Sequence, residues 1–174
     1  MKKELLSLLA CFAVITIAAA QTENTTLTRI GDVAPIFICK TIDGKTIDIR
    51  KLHGKIIMIN FFATWCGPCK LELPVLQKNI WNKYKDNSNF ALIIIGREHD
   101  DQVIRDFVTN NKFTMPFAAD PERQIFKLYA IQNIPRNVII GKDGRIIYQS
   151  MGYSEEDFKK LEDFLAVKVK KYKK

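Results

Sequence analysis

Cysteine and histidine are scarce in this sequence, whose 174 residues include four cysteines and two histidines. Small secreted domains that depend mainly on disulfides are much richer in cysteine, so that class of protein is excluded. Two histidines also leave little material for a histidine-rich metal site. With 47% hydrophobic and 26% charged residues, the composition is typical of an ordinary globular protein. The length favours one domain, large enough to bury a core without crosslinks.

Long hydrophobic runs are also absent, apart from one apolar segment at residues 5–20. It is shorter than the about 20 residues of a typical membrane span. Two lysines precede it and Ala18-Ala19-Ala20 end it, which is the pattern of a secretory signal peptide. We therefore predict a signal peptide at residues 1–20 and an exported protein, periplasmic or otherwise extracytoplasmic. An uncleaved membrane anchor and a lipoprotein modified at Cys11 are the alternatives.

Apolar periodicity and turn residues predict alternating strands and helices in the rest of the chain. Asp43-Gly44 and Asp143-Gly144 are hairpin turns. Pro74 should kink the helix that follows Cys66, and Ser154 should cap the last helix. The predicted strands are residues 36–40, 45–49, 55–62, 90–95, 137–140 and 145–149, and the other predicted helices are 100–111 and 120–129. This order indicates an α/β domain with a mixed sheet.

The clearest chemical signal is the pair Cys66 and Cys69, which directly follows a buried strand and opens a helix. Free N–H groups and the helix dipole stabilise a thiolate at that end. Cys66 is therefore predicted to be the nucleophile in disulfide exchange, with Cys69 as the resolving thiol. A structural disulfide or half of a zinc site is the alternative. Zinc needs two further ligands, and Cys39, His53 and His99 form no second ligand pair, so no metal or cofactor is predicted.

Several motifs together resemble the thioredoxin superfamily, and in particular its exported TlpA/ResA-type subfamily. They are the string FFATWCGPC, Pro74 five residues after Cys69, and Ile134-Pro135 before a hairpin. Residues 31–53 resemble the subfamily's N-terminal hairpin, and residues 98–119 its central insertion. The resemblance implies a thioredoxin fold over residues 31–167: a central mixed β-sheet flanked by helices, with an N-terminal β-hairpin and a central helix–strand insertion. Residues 21–30 are then a flexible lead-in and residues 168–174 a basic tail.

The resemblance also implies roles for particular residues. Pro135 aligns with a cis-proline that faces the cysteines, and the Ile134-Pro135 backbone would orient the substrate chain. Trp65 would cover the site, and Gly67 and Pro68 would lie against the substrate between the two cysteines.

Glu72 matches a glutamate near the cysteines in ResA-type proteins, where it could accept or return the proton of Cys69. The alternative is a solvated surface glutamate. Asn60 stands where cytoplasmic thioredoxins keep a buried aspartate, and asparagine cannot titrate.

Two residues depart from the family pattern. Arg136 follows Pro135 where threonine is common. It is predicted either to lower the pKa of the cysteine thiol and attract acidic partners, or to point into solvent. Cys39 stands alone in a hairpin strand, where it is either a buried small residue, an intermolecular bridge or a third redox thiol.

The predicted function is that of an exported thiol–disulfide oxidoreductase that reduces protein disulfides. A membrane thiol-transfer protein would supply its electrons. The family resemblance also implies a role in cytochrome c maturation. A peroxiredoxin-like peroxidase and a metal-binding chaperone are the alternatives, although the P-x-x-x-[ST]-x-x-C pattern of the former is missing. The net charge of +8 does not by itself indicate nucleic-acid binding. The basic tail could make weak contact with a membrane surface.

Overall fold

A computed structural model describes residues 25–170 of the chain. The predicted signal peptide, the start of the lead-in and the last four residues of the basic tail lie outside these described residues. Within them, no helix is long and apolar enough to cross a membrane.

The centre of the fold is a five-stranded mixed sheet in the order β5-β4-β3-β6-β7. Its middle strand, β3, is buried along its whole length, as its nearly continuous apolar sequence predicts. β3 and β4 are parallel, as are β4 and β5, whereas β6 pairs antiparallel with β3 and β7. A separate hairpin, β1–β2, precedes the sheet. The strands are β1 Ile38–Lys40, β2 Thr46–Asp48, β3 Ile56–Phe62, β4 Phe90–Arg97, β5 Phe117–Asp120, β6 Arg136–Ile140 and β7 Ile146–Met151.

The α-helices pack on one face of the sheet. Their bounds are α1 Gly67–Leu76, α2 Asn82–Tyr84, α3 Asp101–Asn111 and α4 Glu155–Lys170, and a π-helical turn, Gln77–Trp81, joins α1 to α2. Leu73 of α1, Ile104 of α3 and Leu161 of α4 share one core with apolar residues of the sheet. The opposite face carries the β1–β2 hairpin and two short 3₁₀ helices, Ile49–Leu52 and Phe126–Leu128. The architecture therefore matches the predicted one, including the hairpin and the α3–β5 insertion.

The predicted helix over residues 120–129 is wrong. Only one 3₁₀ turn, Phe126–Leu128, forms there. The Asp120 carboxylate accepts hydrogen bonds from the backbone N–H groups of Ile125 and Phe126, farther along the chain than the N2 or N3 position that a helix cap serves. Arg123 also adopts a left-handed backbone conformation, with φ +60°, which interrupts a right-handed helix.

The segment predicted to be a flexible lead-in is packed against the domain from Thr25 onward. Thr25 and Thr28 are buried, Thr26 forms an isolated β-bridge with Ala130, and the Leu27 N–H donates to the Tyr129 carbonyl. Polar composition suggested mobility, but these threonines make contacts with residues distant in sequence.

Candidate active site

Cys66 and Cys69 form a disulfide at the N-terminus of α1. Cys66 is the N-cap residue, and its Sγ accepts a hydrogen bond of 3.2 Å from the Cys69 backbone N–H. Proline in the first turn suits this geometry, since its missing N–H would have no partner inside the helix. Cys66 keeps 5% of its surface exposed and Cys69 keeps none, so an incoming sulfur meets Cys66 first. The arrangement places the more accessible sulfur where helix N–H groups stabilise a thiolate.

A cis peptide bond between Ile134 and Pro135 lies opposite the disulfide. The Ile134 carbonyl oxygen is 3.8 Å from the Sγ of Cys66. Between these two parts of the chain is a cleft of about 370 Å³, lined by Trp65, Cys66, Gly67, Pro68, Arg97, Gln132, Asn133 and Ile134. Trp65, one of these lining residues, keeps 58% of its surface exposed. The structure therefore brings together most of the residues that the sequence predicted to contact a substrate.

Glu72 is buried one turn beyond Cys69, with 1% of its surface exposed, so the alternative of a solvated surface glutamate is wrong. Its carboxylate accepts hydrogen bonds from the side-chain amides of Asn60, at 2.9 Å, and Asn137, at 2.6 Å. Burial raises the pKa of Glu72 to about 7, although both hydrogen bonds act to lower it. The group can therefore hold or release a proton near neutral pH.

Asn137 completes this cluster and was not singled out from the sequence. Its side-chain oxygen accepts a hydrogen bond of 2.8 Å from the Asn60 amide, and its amide donates to Glu72. Asn60 and Asn137 are directly opposite each other on β3 and β6. The available signal for Asn137 was a polar residue in a largely apolar strand, as Asn60 is in β3. Pairing the two residues requires the register between β3 and β6, which are distant in sequence.

Arg136 is buried directly after the cis-proline, which decides between part of its predicted alternatives. It is only 4% exposed, so the solvent-directed alternative is wrong. Its guanidinium donates to the backbone carbonyls of Gln132 and Asn133, and to the hydroxyls of Thr25 and Thr26. The side chain thus ties the segment before the cis-proline to the lead-in, and its hydrogen bonds serve these groups rather than the cysteines.

His99 contacts the backbone just before the active-site tryptophan, a role that the sequence did not indicate. Its Nε2 accepts a hydrogen bond of 2.9 Å from the Thr64 N–H, so the neutral ring carries its proton on Nδ1. Partial burial lowers the pKa of His99. The residue follows β4 and Thr64 follows β3, and the carboxyl ends of adjacent parallel strands lie side by side. The parallel order of β3 and β4 was therefore the signal that could have placed His99 next to Thr64.

Cys39 is a free cysteine, 7% exposed. Burial and the nearby Asp120 carboxylate raise the pKa of its thiol to about 11, which keeps it protonated and unreactive at neutral pH. This environment agrees with the interpretation of Cys39 as a buried small residue. Within residues 25–170, no cluster of three or more histidine, cysteine or acidic side chains could hold a metal ion.

Comparison with known proteins agrees with this geometry. The AhpC/TSA family model matches residues 30–149. Thiol-disulfide oxidoreductase ResA of Bacillus anthracis is 31% identical over 137 residues, which are 79% of this chain and 77% of that protein.

Two solved structures show the same fold. A solution structure from Bacteroides thetaiotaomicron, provisionally described as a protein disulfide isomerase, has 38% sequence identity and a TM-score of 0.81, covering 84% of this chain and 93% of that one. The crystal structure of StoA from Bacillus subtilis has 28% identity and a TM-score of 0.64, covering 76% and 98% respectively. The predicted thioredoxin fold is confirmed. The chain belongs to the AhpC/TSA family of the thioredoxin superfamily, and its relatives include thiol–disulfide oxidoreductases of the ResA type.

Proposed function

We propose that this protein is an exported thiol–disulfide oxidoreductase that reduces protein disulfides through Cys66 and Cys69. The observation that carries the proposal is the Cys66–Cys69 disulfide at the start of α1, opposite the cis Ile134–Pro135 bond. Family membership supports the general activity. Export, the direction of electron flow and the partners are the finer parts of the proposal.

In the proposed reaction, the Cys66 thiolate attacks one sulfur of a substrate disulfide. A mixed disulfide forms and the other substrate sulfur leaves as a thiolate, which takes up a proton. The Cys69 thiolate then attacks the Sγ of Cys66 and displaces the second substrate thiolate. The substrate gains two electrons and two protons, and the enzyme is left with the Cys66–Cys69 disulfide seen in the structure.

Glu72 is the proposed acceptor for the Cys69 proton. Cys69 has no exposed surface, so bulk water cannot readily take its proton, and Asn60 cannot titrate. Glu72 lies on the same helix three residues later, and residues at that spacing are neighbours on the helix surface. With its pKa raised to about 7, Glu72 can accept a proton from Cys69 and return it when the substrate thiolate leaves.

The backbone around Ile134 and Pro135 is proposed to orient the substrate chain in the cleft, with Trp65, Gly67 and Pro68 on the other side. The Gly-Pro pair between the cysteines and isoleucine before the cis-proline resemble reducing thioredoxins, which supports reduction as the direction. An exported reductant needs a continuous supply of electrons, so a membrane thiol-transfer protein is the proposed donor. By resemblance, the proposed pathway is cytochrome c maturation.

The first experiment is the reduction potential of the Cys66–Cys69 pair, measured with a Cys39→Ser variant equilibrated against glutathione or dithiothreitol. We expect a value near that of thioredoxin, about −270 mV. A value near about −120 mV is typical of an oxidant and would overturn the proposed direction.

The second experiment traps the proposed intermediate. A Cys69→Ser variant mixed with a disulfide-containing protein should accumulate a mixed disulfide through Cys66, whereas a Cys66→Ser variant should not. If both variants still completed reduction of the substrate, the assignment of nucleophile and resolving thiol would be wrong.

A peroxidase is the second candidate function, because the matching family model is AhpC/TSA. The Cys66–Cys69 disulfide with only Gly67 and Pro68 between the cysteines favours the oxidoreductase. Peroxide consumption by the reduced protein discriminates them: turnover of peroxide faster than of protein disulfides would favour the peroxidase.

A further inference from the structure

The cleft beside Cys66 contains a cation whose function is not explained by the proposed reaction. Arg97 is the last residue of β4, and β4 ends next to the end of β3, from which the chain continues to Trp65 and Cys66. The Arg97 side chain is about nine-tenths buried, at 10% exposure, yet it lines the same cleft as Cys66.

Aromatic rings hold the Arg97 guanidinium in place. Its Cζ atom is 5.3 Å from the ring centroid of Trp65 and 4.9 Å from that of Phe126. Such contacts orient a guanidinium by cation–π attraction but leave its N–H groups free for hydrogen bonds in its own plane.

Two donors of this guanidinium have no hydrogen-bond acceptor among residues 25–170. Nε and Nη1 of Arg97 are buried and unpaired within the described part of the chain. Its ion-pair partner, Oε2 of Glu98, is 3.6 Å from Nε, which is longer than a normal hydrogen bond. Since buried donors are nearly always satisfied, unpaired donors beside a cleft indicate a group that is not part of the chain.

Positive charge is also in excess around this position. Arg97 and Arg123 share the Glu98 carboxylate. Burial lowers the pKa of Arg136, and the nearby positive charge of Arg97 lowers it further. The nearby carboxylate of Asp120 is engaged by the N–H groups of Ile125 and Phe126. An anion in the cleft would offset this excess.

We propose that Arg97 binds a carboxylate of the substrate, an aspartate or glutamate close in sequence to the disulfide that Cys66 attacks. This inference rests on the proposed function and adds a substrate class to it: acidic polypeptide segments. A carboxylate matches the planar array of guanidinium donors, and the exposed Trp65 is the cover that a substrate would displace. The ligand enters the same cleft as the substrate disulfide, so recognition and reaction occur together.

The test compares two synthetic peptides, each with one intramolecular disulfide, that differ only by glutamate or glutamine next to a cysteine. We expect the wild-type protein to reduce the acidic peptide with at least about tenfold higher kcat/KM than the neutral peptide. That preference is about 1.4 kcal/mol, close to the lower limit of what a hydrogen bond to a charged group contributes. It should weaken in 1 M salt, because the acidic peptide reaches Arg97 through a cleft at the protein surface, where salt screens the attraction.

Arg97→Gln should reduce the acidic-to-neutral ratio of kcat/KM to within about twofold of one. The matched control is Arg50→Gln, which removes the same charge from an exposed arginine that pairs with Asp48; it should keep the preference. Arg97→Lys keeps the charge and loses the planar donor array, so an intermediate ratio is expected. Using the ratio removes any equal effect of these variants on the thiol chemistry.

Each outcome has a distinct meaning. Equal reduction of both peptides by the wild-type protein, or an undiminished preference in Arg97→Gln, would overturn the role of Arg97 and leave the proposed function intact. Reduction of neither peptide would instead contradict the proposed function. Glutathione disulfide is the third substrate, because it carries carboxylates on a small molecule. If it were reduced with higher kcat/KM than the acidic peptide, the polypeptide assignment would be wrong.

Discussion

Glu72 shows how burial changes the chemistry of a single residue. On the surface, a glutamate is fully ionised at neutral pH, whereas this one has a pKa of about 7. Desolvation is the largest cause, because the buried carboxylate loses water and regains only the hydrogen bonds from Asn60 and Asn137. The sequence offered the correct residue and a wrong alternative, since helical spacing does not reveal whether a face is covered by another strand.

Glu72→Gln should slow the pH-dependent step of disulfide exchange by about 10²-fold, as expected when a general acid–base group is removed. The wild-type rate should change with an apparent pKa near 7, and the variant should lack that transition. The measurement is the rate of substrate reduction from pH 5 to pH 9. The matched control is Glu156→Gln, because Glu156 is exposed on α4. An unchanged pH profile in Glu72→Gln would contradict the proton-transfer role.

The same residue should influence stability. The folded pKa of Glu72 is raised above its ordinary value of 4.5, so its protonation favours the folded state most fully below about pH 4.5, and this contribution is lost as the pH rises through about 7. As the pH rises from about 4.5 to about 7, the free energy of unfolding of Glu72→Gln should therefore increase relative to that of the wild type, by a few kcal/mol at most. Denaturant unfolding at several pH values measures this difference. A constant difference across pH would contradict the raised pKa.

His99 is expected to stabilise the segment before Trp65 through its bond to the Thr64 N–H. His99→Ala should lower the free energy of unfolding by about 1 kcal/mol at pH 7.5, because a backbone donor loses its acceptor. The His99 pKa is lowered, so this contribution is present above its unfolded pKa and is lost as the pH falls through the folded pKa. Urea unfolding measures it, with His53→Ala at an exposed position as control. Equal effects of the two variants would argue against the specific bond.

At the level of secondary structure, the sequence predicted the elements better than the loops between them. β3 and α3 have continuous apolar residues or strong periodicity, and the structure has them within a few residues of the predicted bounds. α4 begins directly after Ser154, its predicted cap. The prediction of a helix over residues 120–129 is wrong for a physical reason. Asp120 followed by proline is typical of a helix start, but here the same pair begins a non-helical turn that leads to Phe126. Local residue preferences do not distinguish these two conformations.

The segment between the 3₁₀ turn and β6 depends on Arg136. Arg136→Thr, which restores the residue common in the family, should lower the free energy of unfolding by about 3 kcal/mol, because the carbonyls of Gln132 and Asn133 lose a charged donor in a buried position. Thermal or urea unfolding measures the loss, and Arg50→Thr is the exposed control. The Cys66 pKa in the same variant tests the predicted electrostatic role: an unchanged pKa would dismiss it.

For the whole molecule, the fold and the cysteine pair could be derived from the sequence, but the groups that surround the pair could not. Cys66, Cys69 and Pro135 lie in a contiguous motif or at a position that the family pattern marks. Asn137, His99 and Arg97 reach the site through strand register and parallel strand order, which connect residues far apart in the chain. Each is an ordinary polar residue in its own sequence context, and only the assembled sheet gives it a role.

Cys39 reports on the integrity of the whole fold, because it is buried between the β1–β2 hairpin and the core of the sheet. In the reduced native protein at pH 8, iodoacetamide should modify it at least about 10²-fold more slowly than an ordinary thiol, since its pKa is raised from 9.0 to about 11 and only the thiolate reacts. Mass spectrometry of the alkylated protein measures the rate, and Cys39→Ser identifies the labelled site. Modification should become rapid in the same urea range in which the sheet unfolds. Rapid labelling at low urea would instead show that the hairpin opens independently, as a locally unstable unit.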